Sequence, residues 1–167
     1  MTRHWSAALP KNACSNAVEW ARSQKSAAAA WKSCERGDWM LWLLGKLSGE
    51  PESASRKKLV LAACSCARLS LKYVRKGEDR PRIAIETAER YARGEVLTMD
   101  DVRKAAAAAS ASAASAAAAA AYVAYVADAA AAAAAYVARK TTFKKCADIV
   151  REHYPQPPRL SAQRKAS

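Results

Sequence analysis

The stretch AAAAASASAASAAAAAAYVAYVADAAAAAAAYVARK, residues 105–140, decides the fold class, because it could be a disordered tract, a membrane span or a packed helix. Ala loses no rotamer entropy in a helix and the run holds no Gly or Pro, so it is expected to be helical. Tyr122, Tyr125, Val126, Tyr136 and Val137, with Ala129 and Ala133, recur at the three- and four-residue spacing that lines one helix face. Tyr125 and Tyr136 stand about three turns apart, so both rings point the same way. Against a bilayer span, Ala contributes little transfer energy, and Asp128 and the serines Ser110, Ser112 and Ser115 interrupt the run. The mean hydropathy of −0.25 agrees. An unbroken helix from Thr98 to Arg139 would be about 60 Å long, whereas a compact domain of this size has a radius of gyration of about 15 Å. A bend or break is therefore expected near residues 110–115.

Working outward, Thr98 followed by Asp101 is a variant of the capping-box pattern and opens the alanine helix. Beyond it, Thr142 is expected to start a separate last helix, FKKCADIVREHY, with Phe143, Cys146, Ala147 and Val150 facing inward. Upstream, Asp79, Pro81 and Gly94 delimit a helix in which Ile83, Ala84, Thr87, Ala88 and Tyr91 share a face and Arg82–Glu86, Glu86–Arg90 and Glu89–Arg93 can pair. Ser55 opens RKKLVLAACSCARLSLKYVRKG, read as one amphipathic helix with Leu59, Val60, Ala63, Ala67, Ser70, Leu71 and Val74 on its apolar arc. Near the start, Asn12 or Ser15 can cap a first helix running to about Gln24, and Ser26 a second. Gly37 breaks the chain and Asp38 is placed to cap WMLWLLGKL, apolar nearly all round and hence a buried helix. No strand signal appears. The whole reads as an all-α, single-domain bundle of about six to seven helices over residues 12–154, with a flexible start at 1–11 and a disordered, basic, Pro-containing tail at 155–167.

The five cysteines are an odd set, and the start carries no apolar stretch of the length a secretory signal needs, so reduced, mostly buried thiols and a cytoplasmic home are expected. Cys64 and Cys66, two apart on a helix, point about 200° from each other and cannot easily share one ion. With His4 and His153 the only histidines, no metal site is expected, and no cofactor site or catalytic residue either: the five glycines stand singly at turns, and the carboxylate pairs Glu78-Asp79 and Asp100-Asp101 sit where helices begin. Trp20, Trp31, Trp39 and Trp42 are expected to form the main core.

Net charge is +13, which favours an anionic partner. Arg68, Lys72, Arg75 and Lys76 fill the arc opposite the apolar one on their helix, and Arg139, Lys140, Lys144 and Lys145 can join them in space as a basic binding face. The structural alternative is a solvated helix face whose cations suit the C-terminal dipole.

At AWKSCERGDWMLWLLGK, KLVLAACSCARLSLKYV and EDRPRIAIETAERYARGE, followed by an alanine-rich helix, the chain resembles a family of small helical proteins described as immunity proteins of bacterial toxin systems. Similar alanine-rich proteins are carried by tailed phages and prophages. The resemblance covers roughly residues 12–153 and implies a non-catalytic binder that inhibits or neutralises a protein target, as an immunity or phage-borne counter-defence inhibitor does. Combined with the charge, it leads to the expectation of a protein partner with an acidic surface and no membrane association. The alternative is a basic, sequence-independent nucleic-acid-binding accessory protein, whose affinity would fall steeply with salt.

Overall fold

The structure is a computed structural model that describes residues 4–50, 52–95, 98, 100–108, 110 and 129–160, the stretch 129–138 by its backbone alone. Among these residues every regular element is helical, so the fold is all-α. A 3-10 turn, Trp5–Ala8, precedes α1 (Ser15–Arg22), α2 (Ala27–Ser33), α3 (Gly37–Leu47), α4 (Ala54–Arg68), a second 3-10 turn at Leu71–Tyr73, and α5 (Arg80–Ala92). The described parts of the alanine-rich tract, 100–108 and Ala129–His153, are helical and are labelled α6 and α7. The expected bend near residues 110–115 and the stripe of Tyr122, Tyr125 and Val126 lie outside the described residues, as do the side chains of Ala129, Ala133, Tyr136 and Val137.

Local chemistry sets several boundaries where expected. Ser26 Oγ accepts from the Ala29 amide at 3.1 Å and starts α2. Thr98 and Asp101 form the reciprocal box: the Thr98 amide donates to Asp101 Oδ2 at 2.8 Å, and the Asp101 amide to Thr98 Oγ1 at 3.2 Å. Gly94 ends α5 at φ +83°, a left-handed conformation that Gly adopts without the Cβ penalty.

Other boundaries moved. At the first helix, neither Asn12 nor Ser15 caps: Cys14 holds the N-cap position without a side-chain hydrogen bond, and α1 stops at Arg22. Ser53, not Ser55, caps α4 by accepting from the Arg56 amide at 3.2 Å. That helix stops at Arg68 rather than running to Gly77, and Ser70 Oγ turns back to the Ala67 carbonyl at 2.6 Å. A serine hydroxyl competes with the backbone ladder in this way, which favours the following 3-10 turn. Conversely, α7 runs straight through Thr142, because Thr tolerates a helix interior once tertiary packing holds the flanking turns. Gly37 opens α3 instead of separating it: a Cβ there would lie 2.6 Å from the Ala147 amide nitrogen and nearer still to Cys146 Cβ. The missing side chain lets α3 and α7 approach.

The core sits where α3, α4 and α7 meet and contains Trp31, Met40, Leu44, Leu59, Cys66, Cys146, Ala147 and Val150. Helix α5 packs on another side of α4. Cys64 and Cys66 consequently serve two neighbours, the first thiol donating to the Ile85 carbonyl and the second to the Cys146 carbonyl, each at 3.7 Å. Burial pushes Cys64 up to about 11 and Cys66 to about 12. On α5 the buried positions are Ile85, Tyr91 and Ala92, while Ile83, expected inside, is 47% exposed.

Both ends of the described chain make contacts that the sequence does not announce. Trp5 Nε1 donates to the Gln24 carbonyl at 3.0 Å, tying the first turn to the end of α1. Trp31 Nε1 donates to the Tyr154 carbonyl at 2.8 Å, so the chain leaving α7 is anchored beside α2. Arg151 secures the same junction, donating from Nη1 to the carbonyls of Trp31 at 3.1 Å and Cys34 at 2.8 Å, a cation on the last carbonyls of a helix.

Candidate functional site

The early end of α4 brings part of the expected basic face together by a different route. The turn after Arg68 carries Lys72 and Tyr73 toward α7, where Thr141, Thr142 and Lys145 complete the wall of a depression of about 370 Å³. Arg68 and Leu69 form the remaining side. Lys72 stands 4.8 Å from the centre of the Tyr73 ring, which is 67% exposed, so the aromatic face steadies an ammonium that stays open to solvent.

The cations differ in how far they are already engaged. Arg68 donates through Nε and Nη2 to both Glu89 oxygens at 2.7 Å, a bidentate pair between the end of α4 and α5. The hydrogen bonds from Arg68 hold the Glu89 carboxyl below its ordinary value, and those to Glu89 raise the guanidinium. Among the described residues neither Lys72 nor Lys145 has a carboxylate within ion-pair distance. The depression thus presents two uncommitted ammonium groups beside the hydroxyl-bearing side chains of Tyr73, Thr141 and Thr142.

The other expected members lie elsewhere. Lys144 pairs with Glu35 at 2.9 Å across to the loop before α3, and this contact lowers the Glu35 carboxyl and raises the Lys144 ammonium. Lys140 also acts on Glu35. Arg139, Arg75 and Lys76 are exposed and line no part of the depression, the last two because the turn carries them off the helical arc on which they were placed. On α5, Arg82–Glu86 forms at 3.0 Å and Arg93–Glu89 at 3.8 Å, whereas Arg90 turns to Glu95 at 2.5 Å instead of Glu86.

Tyr73, Thr141 and Thr142 escaped the sequence reading. A continuous helix over 55–77 hides Tyr73 among apolar residues, and a helix starting at Thr142 turns both threonines into caps. The usable signal was Ser70, two residues beyond the last α4 position, as a side chain able to bond back to its own helix. The depression offers cations and hydroxyl groups suited to carboxylates or phosphates.

The chain belongs to the family of Imm-5 like putative immunity proteins, whose model matches residues 49–156. Every residue that lines the depression falls inside that match. No curated protein and no solved structure shows a significant match to the chain.

Proposed function

We propose that this protein binds and neutralises a protein toxin without catalysis, and that the depression around Lys72 and Lys145 receives an acidic feature of that toxin. The observation that carries this reading is the pair of unneutralised ammonium groups on the family-matched part of the chain. Membership in an immunity-protein family supports a protein target, and the net charge of +13 supports an acidic one. Exposed charges of this kind act chiefly on the rate of encounter and on partner choice.

Two features favour a protein over a nucleic acid. Of the eight cations expected to form the basic face, Arg68 and Lys144 are held by carboxylates, and Arg75, Lys76 and Arg139 line no part of the depression, so no continuous basic track for a phosphate backbone gathers there. Tyr73 carries its own lysine over the ring, so it offers no bare stacking platform. Bait capture with the full chain, followed by binding of the captured protein to the parent and to the double variant Lys72→Glu/Lys145→Glu at low and near-physiological salt, tests the assignment. A partner whose association slows in the variant supports it. Tight binding of random-sequence DNA or RNA that persists at near-physiological salt, with no protein captured, overturns it in favour of the nucleic-acid alternative.

A further inference from the structure

All five tryptophans of the chain, Trp5, Trp20, Trp31, Trp39 and Trp42, line one cavity of about 510 Å³, within the range of sites that hold a ligand. Only Trp31 is fully taken into the core; Trp20 and Trp39 pack against it, with ring centres 6.0 Å apart. Pro157, Pro158 and Leu160, half-buried, also line it, while Pro155, Gln156 and Arg159 between and before them are exposed. Arg36 borders the cavity, 4.4 Å from the centre of Trp39 and paired with Asp38 at 2.6 Å, so its charge is already met. Every lining residue lies at 5–43 or 157–160, outside the family-matched segment.

The chain's own segment shows what this cavity accepts. Proline fixes φ near −65° and pushes the residue before it toward extended backbone, so Pro157-Pro158 presents rings and carbonyls with little entropy left to lose. Aromatic grooves that also carry an indole N–H donor recognise such segments, the rings stacking on proline and the donor taking a carbonyl. Trp31 makes that bond to Tyr154 just ahead of the prolines. With Pro157, Pro158 and Leu160 in its wall, the cavity still holds about 510 Å³, room for a longer segment of the same kind.

We infer that the tryptophan cavity is a docking groove for an extended, proline- and leucine-containing segment of a protein partner, which displaces residues 157–160. That the partner is the toxin rests on the function proposed above; the groove and its occupant's chemistry do not. Because the tether holds the chain's own segment at an effective concentration on the order of mM, an external segment meets strong competition in the parent protein and little once that segment is weakened.

The probe is the capped peptide acetyl-Pro-Gln-Pro-Pro-Arg-Leu-amide, titrated into the full chain while tryptophan emission is followed; all five indoles line the cavity, so the signal comes from there. The triple variant Pro157→Ser/Pro158→Ser/Leu160→Ser should give a saturable shift with affinity at least roughly tenfold above the parent. Ala17→Trp, added to the triple variant, fills the cavity from a partly exposed wall and should abolish the shift with a normal melting curve. Lys72→Glu/Lys145→Glu should leave it unchanged, which separates this groove from the basic depression. No saturable shift in the triple variant, or an equal response to a peptide with serine at each proline and leucine, overturns the proposal.

Discussion

The depression around Lys72 and Lys145 is small, about 370 Å³, and rimmed by ammonium and hydroxyl groups on exposed side chains, whereas the tryptophan cavity holds about 510 Å³ behind five indoles and a proline pair. The first lies wholly within the family-matched residues and the second wholly outside them. They also relate differently to stability. Lys72 and Lys145 are exposed side chains, so changing them leaves the packed core alone. Trp31, Cys34 and Met40 belong to the cavity wall and to the core at once, so any change to them alters both. A charged rim can be retuned freely; an aromatic groove built from the core cannot.

The sharpest way to break this contrast is at the seam that supports both regions. Leu44→Ala, at 5% exposure in α3 against α7, should cost about 2–5 kcal/mol in denaturant unfolding. A cost below about 1 kcal/mol would mean that the α3–α7 contact supports neither region. Gly37→Ala should cost about 1–3 kcal/mol, because the added methyl meets the Ala147 amide and the Cys146 side chain where neither helix can retreat. Its melting temperature, set beside that of Gly45→Ala, where the nearest side chain is Leu59 at 3.9 Å, isolates the clash from the common gain in helix propensity.

Separability at the depression predicts a smaller and different effect. If the proposed function holds, Lys72→Glu/Lys145→Glu should slow association with the captured protein partner roughly tenfold at low salt, with the gap narrowing as salt rises and the unfolding curve unmoved. A drop in stability instead would place these lysines in the structural class. Smaller still is the Arg68–Glu89 pair. Glu89 is held below its ordinary 4.5, so its contribution is complete above about pH 4.5 and is lost as pH falls through the depressed folded value. Arg68→Ala should therefore be less stable than the parent by about 0.2–1 kcal/mol near neutral pH, with the difference closing in acid. Denaturant midpoints across pH check the sign; a gap that widens in acid contradicts it.

Thiol reactivity requires no stability change at all. Cys14 is exposed at the cavity wall, and the other four cysteines are buried, with Cys64 and Cys66 pushed up to about 11 and 12. At pH 8 a maleimide should label one thiol rapidly in the folded protein and five after unfolding, as counted by intact mass. Two or more fast labels in the native state would show that the α4 packing opens readily.

Capping signals were the most legible part of the molecule. Ser26, Gly94 and the Thr98–Asp101 box act over four residues or fewer, and the hydrogen bonds they make are decided by that short stretch. The inward set Cys146, Ala147 and Val150 was equally plain from its spacing. Where reading failed, a competitor further along the chain had won. Arg68 found Glu89 on α5 and Lys144 crossed to Glu35, each of which removed a cation from the expected basic face, and Arg90 paired with Glu95 in place of Glu86.

What the sequence determined by itself was therefore the all-helical class, the boundaries at Ser26, Gly94 and the Thr98–Asp101 box, and the opposed directions of Cys64 and Cys66, since all of these follow from local backbone chemistry and the 3.6-residue period. Tertiary structure alone decided that Lys72 and Lys145 share a depression, that Gly37 marks a close crossing, and that five tryptophans and a proline pair enclose one cavity. Those facts join residues far apart in the chain, and no local interaction carries information about which distant surface will be in reach once the helices pack.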